Sequence, residues 1–317
     1  MTVYNSNNLF LINTMTRIVP RWIFPPLAFI TALIVYCVGV KARRAIRANL
    51  RIITGCHRVE RLVLSTLYKF SLNWCDIMLL MRLTGPRLHA LISRHASARP
   101  MDDALATGTG AILISPHLGN WELGGLGLAD LGYPVNVLTF REPDEKVNAM
   151  REQLRRERRI KFIYVDRNDT SPLAIIEAVN ALRRNEVLAI LGDRDGSSHT
   201  MTLDFFGRQT NIPVGVAYLA LASGAPVIPV FVPLERGTYI TIMEEPIFFR
   251  GSHGQHAAAI RTGMEQLMDV FEHYIRKYPD QWYNLFDFWG EDMAKVDLKV
   301  HTEHTKSQKR GCKCQTN

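Results

Sequence analysis

Apolar positions fall into three regimes along the chain. The first is one unbroken run, Trp22 to Val40 (WIFPPLAFITALIVYCVGV), with no charged side chain. A helix needs about 20 such residues to cross the hydrocarbon core of a bilayer. Pro25 and Pro26 stand near the start of the run, where proline disturbs a helix least. The run predicts a membrane-anchoring helix over 22–40, within an N-terminal segment 1–40. A cleaved signal peptide fits less well, because no small-residue cleavage site leads into a plausible mature start. A re-entrant hairpin and a long core helix are the other readings of the same pattern.

The second regime covers residues 41–100. Leu62, Leu64, Leu67, Phe70 and Leu72, then Ile77, Leu79, Leu80 and Leu83, recur among basic and polar residues. This predicts a helical, membrane-proximal region. The third regime begins near residue 101, where short apolar runs alternate with helical stretches. Strands are expected at 111–115 (AILIS), 135–140 (VNVLTF), 162–165 (FIYV), 187–191 (VLAIL), 226–232 and 239–243. Helices are expected at 119–130, 144–159, 172–184, 213–223 and 253–278. Strands alternating with helices of 10 to 15 residues imply crossover connections and a mainly parallel central sheet flanked by helices, an α/β fold. Such a sheet carries its chemistry in the loops at the carboxyl ends of its strands. The expected domain is 101–290. The remainder, 291–317, is polar and basic and reads as a disordered tail.

Charge adds direction. Arg17 and Arg21 precede the apolar run, while Lys41, Arg43, Arg44, Arg47 and Arg51 follow it. The positive-inside rule then puts everything after residue 40 in the cytoplasm. At an anionic membrane surface each of these cations would add about 1 kcal/mol to attachment. The formal net charge of +8 also suits nucleic acid or an acidic carrier protein. Zinc-finger spacing, RNA-recognition aromatics and a recognition-helix signature are all missing, which sets nucleic acid aside. The five cysteines form no disulfide framework. His253, His256 and His199 lack the further ligands of a metal site. No motif calls for a metal or a cofactor.

The chemistry-bearing stretch is HLGNWELGG, residues 117–125, just past the run AILIS. On a continuous helix His117 and Glu122 would project about 140° apart. Pro116 and Gly119 break that regularity, so His117 can sit in the strand-to-helix loop and Glu122 in the first helical turn. A carboxylate on one ring nitrogen fixes the tautomer and leaves the other nitrogen as an acceptor. Such a pair can deprotonate an alcohol as it attacks a thioester, with no serine or cysteine nucleophile. Backbone N–H groups at the glycine-bearing helix start are candidates for holding the oxyanion. Taken alone, His-x4-Glu is a common spacing, and a structural loop is its bland reading.

HLGNWELGG resembles the catalytic block of the bacterial lipid A late acyltransferases (lauroyl and myristoyl transferases), within the H-x4-D/E acyltransferases. Further blocks follow in order: RRAIRANLR (43–51), TFREPDEKVNAMREQLR (139–155), the stretch 191–231 with Asp-Arg, Phe-Phe-Gly and Gly-Ala-Pro-Val-x-Pro elements, and YPDQWYNLFDFW (278–289). The likeness covers about residues 35–290. It implies a fatty acyl thioester donor, acyl carrier protein or acyl-CoA, and a lipid hydroxyl acceptor at the bacterial inner membrane, on its cytoplasmic face. It implies His117 as general base with Glu122 as its partner, and substrate contacts from Arg141, Asp193 and Arg194. Asn120 either orients the loop or touches substrate. Arg194 offers a planar fork suited to phosphate, or else an ion pair with Asp193 or Asp195. The basic run Arg155, Arg156, Arg158, Arg159 and Lys161 is either a carrier-docking patch or a solvated helix face. Phe286-Asp287-Phe288-Trp289 stands where lipid A enzymes tend to carry a basic residue. An ornithine-type lipid, a lysophospholipid or an aryl polyene therefore stays open as acceptor. So does a non-catalytic lipid-binding protein on the same fold.

Overall fold

Ala111–Ser115 forms a strand buried along its whole length, with alternate side chains in two different cores. Ile112 and Ile114 join the large cluster with Met264, Leu267 and Phe271, while Ala111 and Leu113 pack with Met101, Ala104 and Ile228. A period of two on a sheet covered on both sides produces this split. The computed structural model describes residues 20–80, 82–140, 145–165, 172–194, 199–251 and 256–290. Arg141, the segment around Asp195 and the tail 291–317 lie outside the described residues.

Strands in chain order are β1 (Ile92–Arg94), β2 (Ala111–Ser115), β3 (Val135–Phe140), β4 (Lys161–Val165), β5 (Val187–Leu191), β6 (Thr200–Asp204), β7 (Gln209–Pro213), β8 (Val227–Phe231), β9 (Leu234–Glu235), β10 (Thr238–Ile240) and β11 (Ile242–Met243). The central sheet has the order β11-β8-β2-β5-β3-β4. It is parallel throughout except for the edge strand β11. Helices Trp121–Asp130, Glu145–Arg158, Leu173–Arg183 and Gly215–Ser223 connect its strands, and His256–Lys277 packs on the core behind them.

Three local features depart from the periodicity. The expected strand at 239–243 is two: β10 pairs with β1 and β9 in a separate small sheet, and β11 closes the main one. The polar stretch after β5 forms an antiparallel hairpin, β6–β7. The apolar run is also not one helix. It ends at Val38 and a second helix, Val40–Thr54, starts beyond Gly39. Gly39 leaves helical geometry (φ −84°, ψ 56°), and Arg43 Nη1 donates to the Tyr36 carbonyl at 2.5 Å, satisfying one of the helix's orphan acceptors.

Arg21–Val38 is long and apolar enough to cross a membrane, with a mean hydropathy of 1.7. One side of it nevertheless packs on the protein. Phe24, Ala28 and Ala32, four residues apart, lie buried against the helix Glu60–Leu80 through Leu72, Val63 and Leu67. Arg21 pairs with the fully buried Asp76 at 3.0 Å, which also accepts from Tyr239 Oη at 2.8 Å. The opposite stripe, with Trp22, Phe29, Ile30, Leu33, Ile34 and Val38, is exposed. An uninterrupted apolar stripe of this kind marks a membrane or partner surface.

Candidate active site

Adjacent parallel strands β2 and β5 run in register, with Ser115 opposite Leu191. Two residues past each of those ends stand His117 and Asp193. His117 Nδ1 and Asp193 Oδ1 are 2.5 Å apart. The other carboxylate oxygen accepts from the indole Nε1–H of Trp282 at 2.8 Å. Asp193 is buried and His117 largely so, its side chain 18% exposed. With Nδ1 committed to the carboxylate, Nε2 is the nitrogen left to take a proton.

Electrostatics favour a neutral imidazole beside an ionised carboxylate. Burial pushes His117 below the ordinary histidine value; Asp193 opposes the shift and Arg194 adds to it. For Asp193, burial by itself would raise the carboxyl, but His117 and the Arg194 guanidinium outweigh it and hold the group well below the usual carboxylate range.

The loop carrying His117 is fastened from both sides. Gly119 N–H donates to the Gln281 carbonyl at 3.0 Å and Asn120 N–H to the Val232 carbonyl at 2.8 Å. Gly119 has φ +67°, and a Cβ there would lie 2.2 Å from Val232 O, so no side chain fits. Those two N–H groups are therefore already engaged, which removes them from the expected set of oxyanion donors. Asn120 is fully buried and its Oδ1 caps the following helix, accepting from Leu123 N–H at 2.9 Å.

The structure brings His117, Asp193, Arg194 and Asn120 together but pairs them differently from the expectation. Asp193, expected to contact substrate, is the carboxylate on His117. Glu122, expected to be its partner, lies in the first turn of the helix Trp121–Asp130, while the carboxylate at His117 Nδ1 is that of Asp193. Arg194 reaches across to the segment 283–286. Its Nε donates to Asn284 Oδ1 at 2.5 Å, its Nη2 to the Tyr283 carbonyl, and its guanidinium stacks on Phe286 at 5.3 Å. Phe288 and Trp289 pack with Trp282 and Phe205, so the Phe-Asp-Phe-Trp stretch plugs a core beside the site. Arg158 of the basic run donates to the Leu80 and Leu83 carbonyls, and Lys161 pairs with Glu177 at 2.6 Å. Among the described residues, no cluster of His, Cys, Asp and Glu has metal-binding geometry.

The missed partner had a faint signal. Asp193 follows VLAIL by the same two residues that separate His117 from AILIS. Reading it requires knowing that β2 and β5 are neighbours.

An imidazole–carboxylate pair thus stands at the carboxyl edge of a mainly parallel sheet. Comparison with known proteins settles the class: the chain belongs to the bacterial lipid A biosynthesis acyltransferase family, whose family model matches residues 8–290. It is an acyltransferase acting in lipid biosynthesis. It is similar to the phosphatidylinositol mannoside acyltransferase of Mycobacterium tuberculosis H37Rv, 26% identical over 238 residues that cover 74% of this chain and 72% of the relative. The enzyme of the same description from Mycolicibacterium smegmatis is 27% identical over 192 residues, 60% of each chain. The apolar N-terminal helix and the family together indicate membrane association.

Proposed function

We propose that this protein moves a fatty acyl group from an acyl carrier protein or acyl-CoA thioester to a sugar hydroxyl of a membrane glycolipid. His117 is the general base and Asp193 the carboxylate that orients and charges it. The observation that carries this reading is the 2.5 Å contact between His117 Nδ1 and the buried Asp193 at the carboxyl edge of the sheet. His117 Nε2 removes the acceptor's proton as its oxygen attacks the thioester carbonyl. The imidazolium, stabilised by Asp193, returns that proton to the departing thiolate. A glycolipid acceptor is favoured because the family and its mycobacterial relatives both carry glycolipid names. The pair also speaks against a non-catalytic lipid-binding role. Arg194 braces the segment 283–286 and supplies positive charge beside Asp193, while Glu122 and Arg141 are left for substrate or loop positioning. Mass spectrometry of lipid extracts from cells with and without the protein tests the acceptor: one glycolipid gains a single acyl chain only when the protein is present.

The lowered His117 value fixes a pH profile. The base works neutral, so activity is lost as pH falls through the pKa of the folded enzyme. The plateau of kcat/KM should hold through neutrality and fall only below the ordinary histidine value of about 6.5. An acid limb centred above pH 7 would contradict the assignment.

We further propose that the exposed stripe of Arg21–Val38 enters the cytoplasmic leaflet of the inner membrane from the side, since its other face is held on Glu60–Leu80. The exposed Lys41, Arg44 and Arg51 follow at headgroup level. Ile30→Asp with Ile34→Asp should move most of the protein from the membrane pellet to the supernatant in a flotation assay. Full retention would shift the anchor elsewhere.

A further inference from the structure

We propose that Trp282 is a positioning residue that sets the geometry and basicity of the His117–Asp193 pair through its indole N–H. The inference rests on the reading of His117 as base. Three observations support it. The indole N–H is a donor that cannot accept, so its 2.8 Å bond to Asp193 Oδ2 holds that oxygen as an ionised acceptor and turns Oδ1 to His117. Second, the main chain on either side of Trp282 is bound to the loop that carries His117. Leu118 and Trp282 form an antiparallel bridge, and Tyr283 N–H donates to the His117 carbonyl at 2.8 Å. The backbones of its two neighbours, Gln281 and Tyr283, thus fasten Trp282 to the loop of the base, and its side chain fastens it to the carboxylate.

Third, the indole has no room to turn. Trp282 is 3% exposed and packs on Phe288, Trp289 and Phe205, with ring centroids at 4.8, 5.8 and 6.2 Å. The residue before it is pinned as well: Gln281 Oε1 accepts from Leu234 N–H at 2.7 Å, and its Nε2 donates to the Leu234 carbonyl at 2.9 Å.

A donor on Oδ2 withdraws charge from the carboxylate. Without it, Asp193 interacts more strongly with the imidazolium, and the His117 pKa rises. Among the described residues, the other charged group that acts on His117 is Arg194, adjacent to Asp193, and the substitution leaves it in place. Trp282→Phe keeps an aromatic ring in the cage and deletes the N–H. Its kcat should fall about 10-fold, with KM for donor and acceptor nearly unchanged, because the bond acts on the reacting geometry and not on substrate binding. The acid limb of kcat/KM should move to higher pH by about half a unit. If Trp282→Phe fails to fold, the benzothiophene analogue of tryptophan placed at position 282 keeps the shape and replaces the N–H by sulfur. An acid limb at the wild-type pH in the folded variant, whatever its kcat, overturns the proposal, since a merely structural loss lowers the active fraction without moving the limb. His117→Ala run in parallel separates the two readings. If it is inactive while the limb of the Trp282 variant stays put, only the role of Trp282 falls. If it turns over like wild type, the base assignment falls and this inference with it.

Discussion

Replacing His117 by alanine is expected to lower the rate of acyl transfer by at least ~10²-fold while leaving the fold intact. The proposed base is His117 Nε2, because the other ring nitrogen is spent on Asp193. Its side chain is partly exposed and lies edge-on to Trp121 at 5.2 Å, outside the main cores, so its removal leaves the hydrophobic packing in place. Steady-state rates with an acyl thioester and a glycolipid in mixed micelles, with circular dichroism to confirm folding, measure the effect. A variant within twofold of wild type would remove His117 from the chemistry.

Asp193→Asn should cost about 10²- to 10⁴-fold, because the amide keeps the shape but loses the charge that stabilises the imidazolium. It also presents two donors where the carboxylate served His117 on one oxygen and Trp282 on the other. One orientation opposes the indole N–H with an NH₂ group. The other offers that group to Nδ1 and forces the wrong tautomer, with the proton on Nε2. Glu122→Gln should lose far less. The comparison is informative because the family resemblance implies Glu122 as the partner. Equal losses for the two variants, or a larger one for Glu122→Gln, would return the partnership to the sequence neighbour.

Most of the fold was legible because its signals are local. AILIS, VNVLTF and VLAIL become strands with the boundaries their apolar runs suggest. Gly224 ends the helix Gly215–Ser223 in a left-handed conformation, as a glycine after an apolar periodic stretch should. Non-local pairing was not legible. β1 and β10 find one another across about 145 residues, and neither three-residue strand carries a pattern that could announce the match. The hairpin β6–β7 alternates buried and exposed positions, but the polar run before it masked the change of period. Gly39 stands inside an apolar run, where hydropathy reads straight through the bend it makes.

The site was half legible for the same reason. HLGNWELGG marks its own loop, since proline and glycine break a strand into a helix start there. The partner of the imidazole comes from another strand, and the order β2-β5 joins them. His117 and Asp193 lie 76 residues apart in the chain and 2.5 Å apart in space. Trp282 comes from further along still, after the last long helix, and no spacing rule connects it to either. Arg194 looked like a phosphate fork because its type allows that, whereas its observed partners, Asn284 and the Tyr283 carbonyl, are tertiary.

The most direct measurement follows both halves of the reaction at once. Purified protein is given a fatty acyl thioester labelled at its carbonyl carbon and a micellar glycolipid, and free thiol and labelled, alkali-labile lipid ester are counted together. One ester should form for each thiol released, with both lost in His117→Ala. Thiol release into free fatty acid without lipid ester, or equal ester formation in the alanine variant, would contradict it.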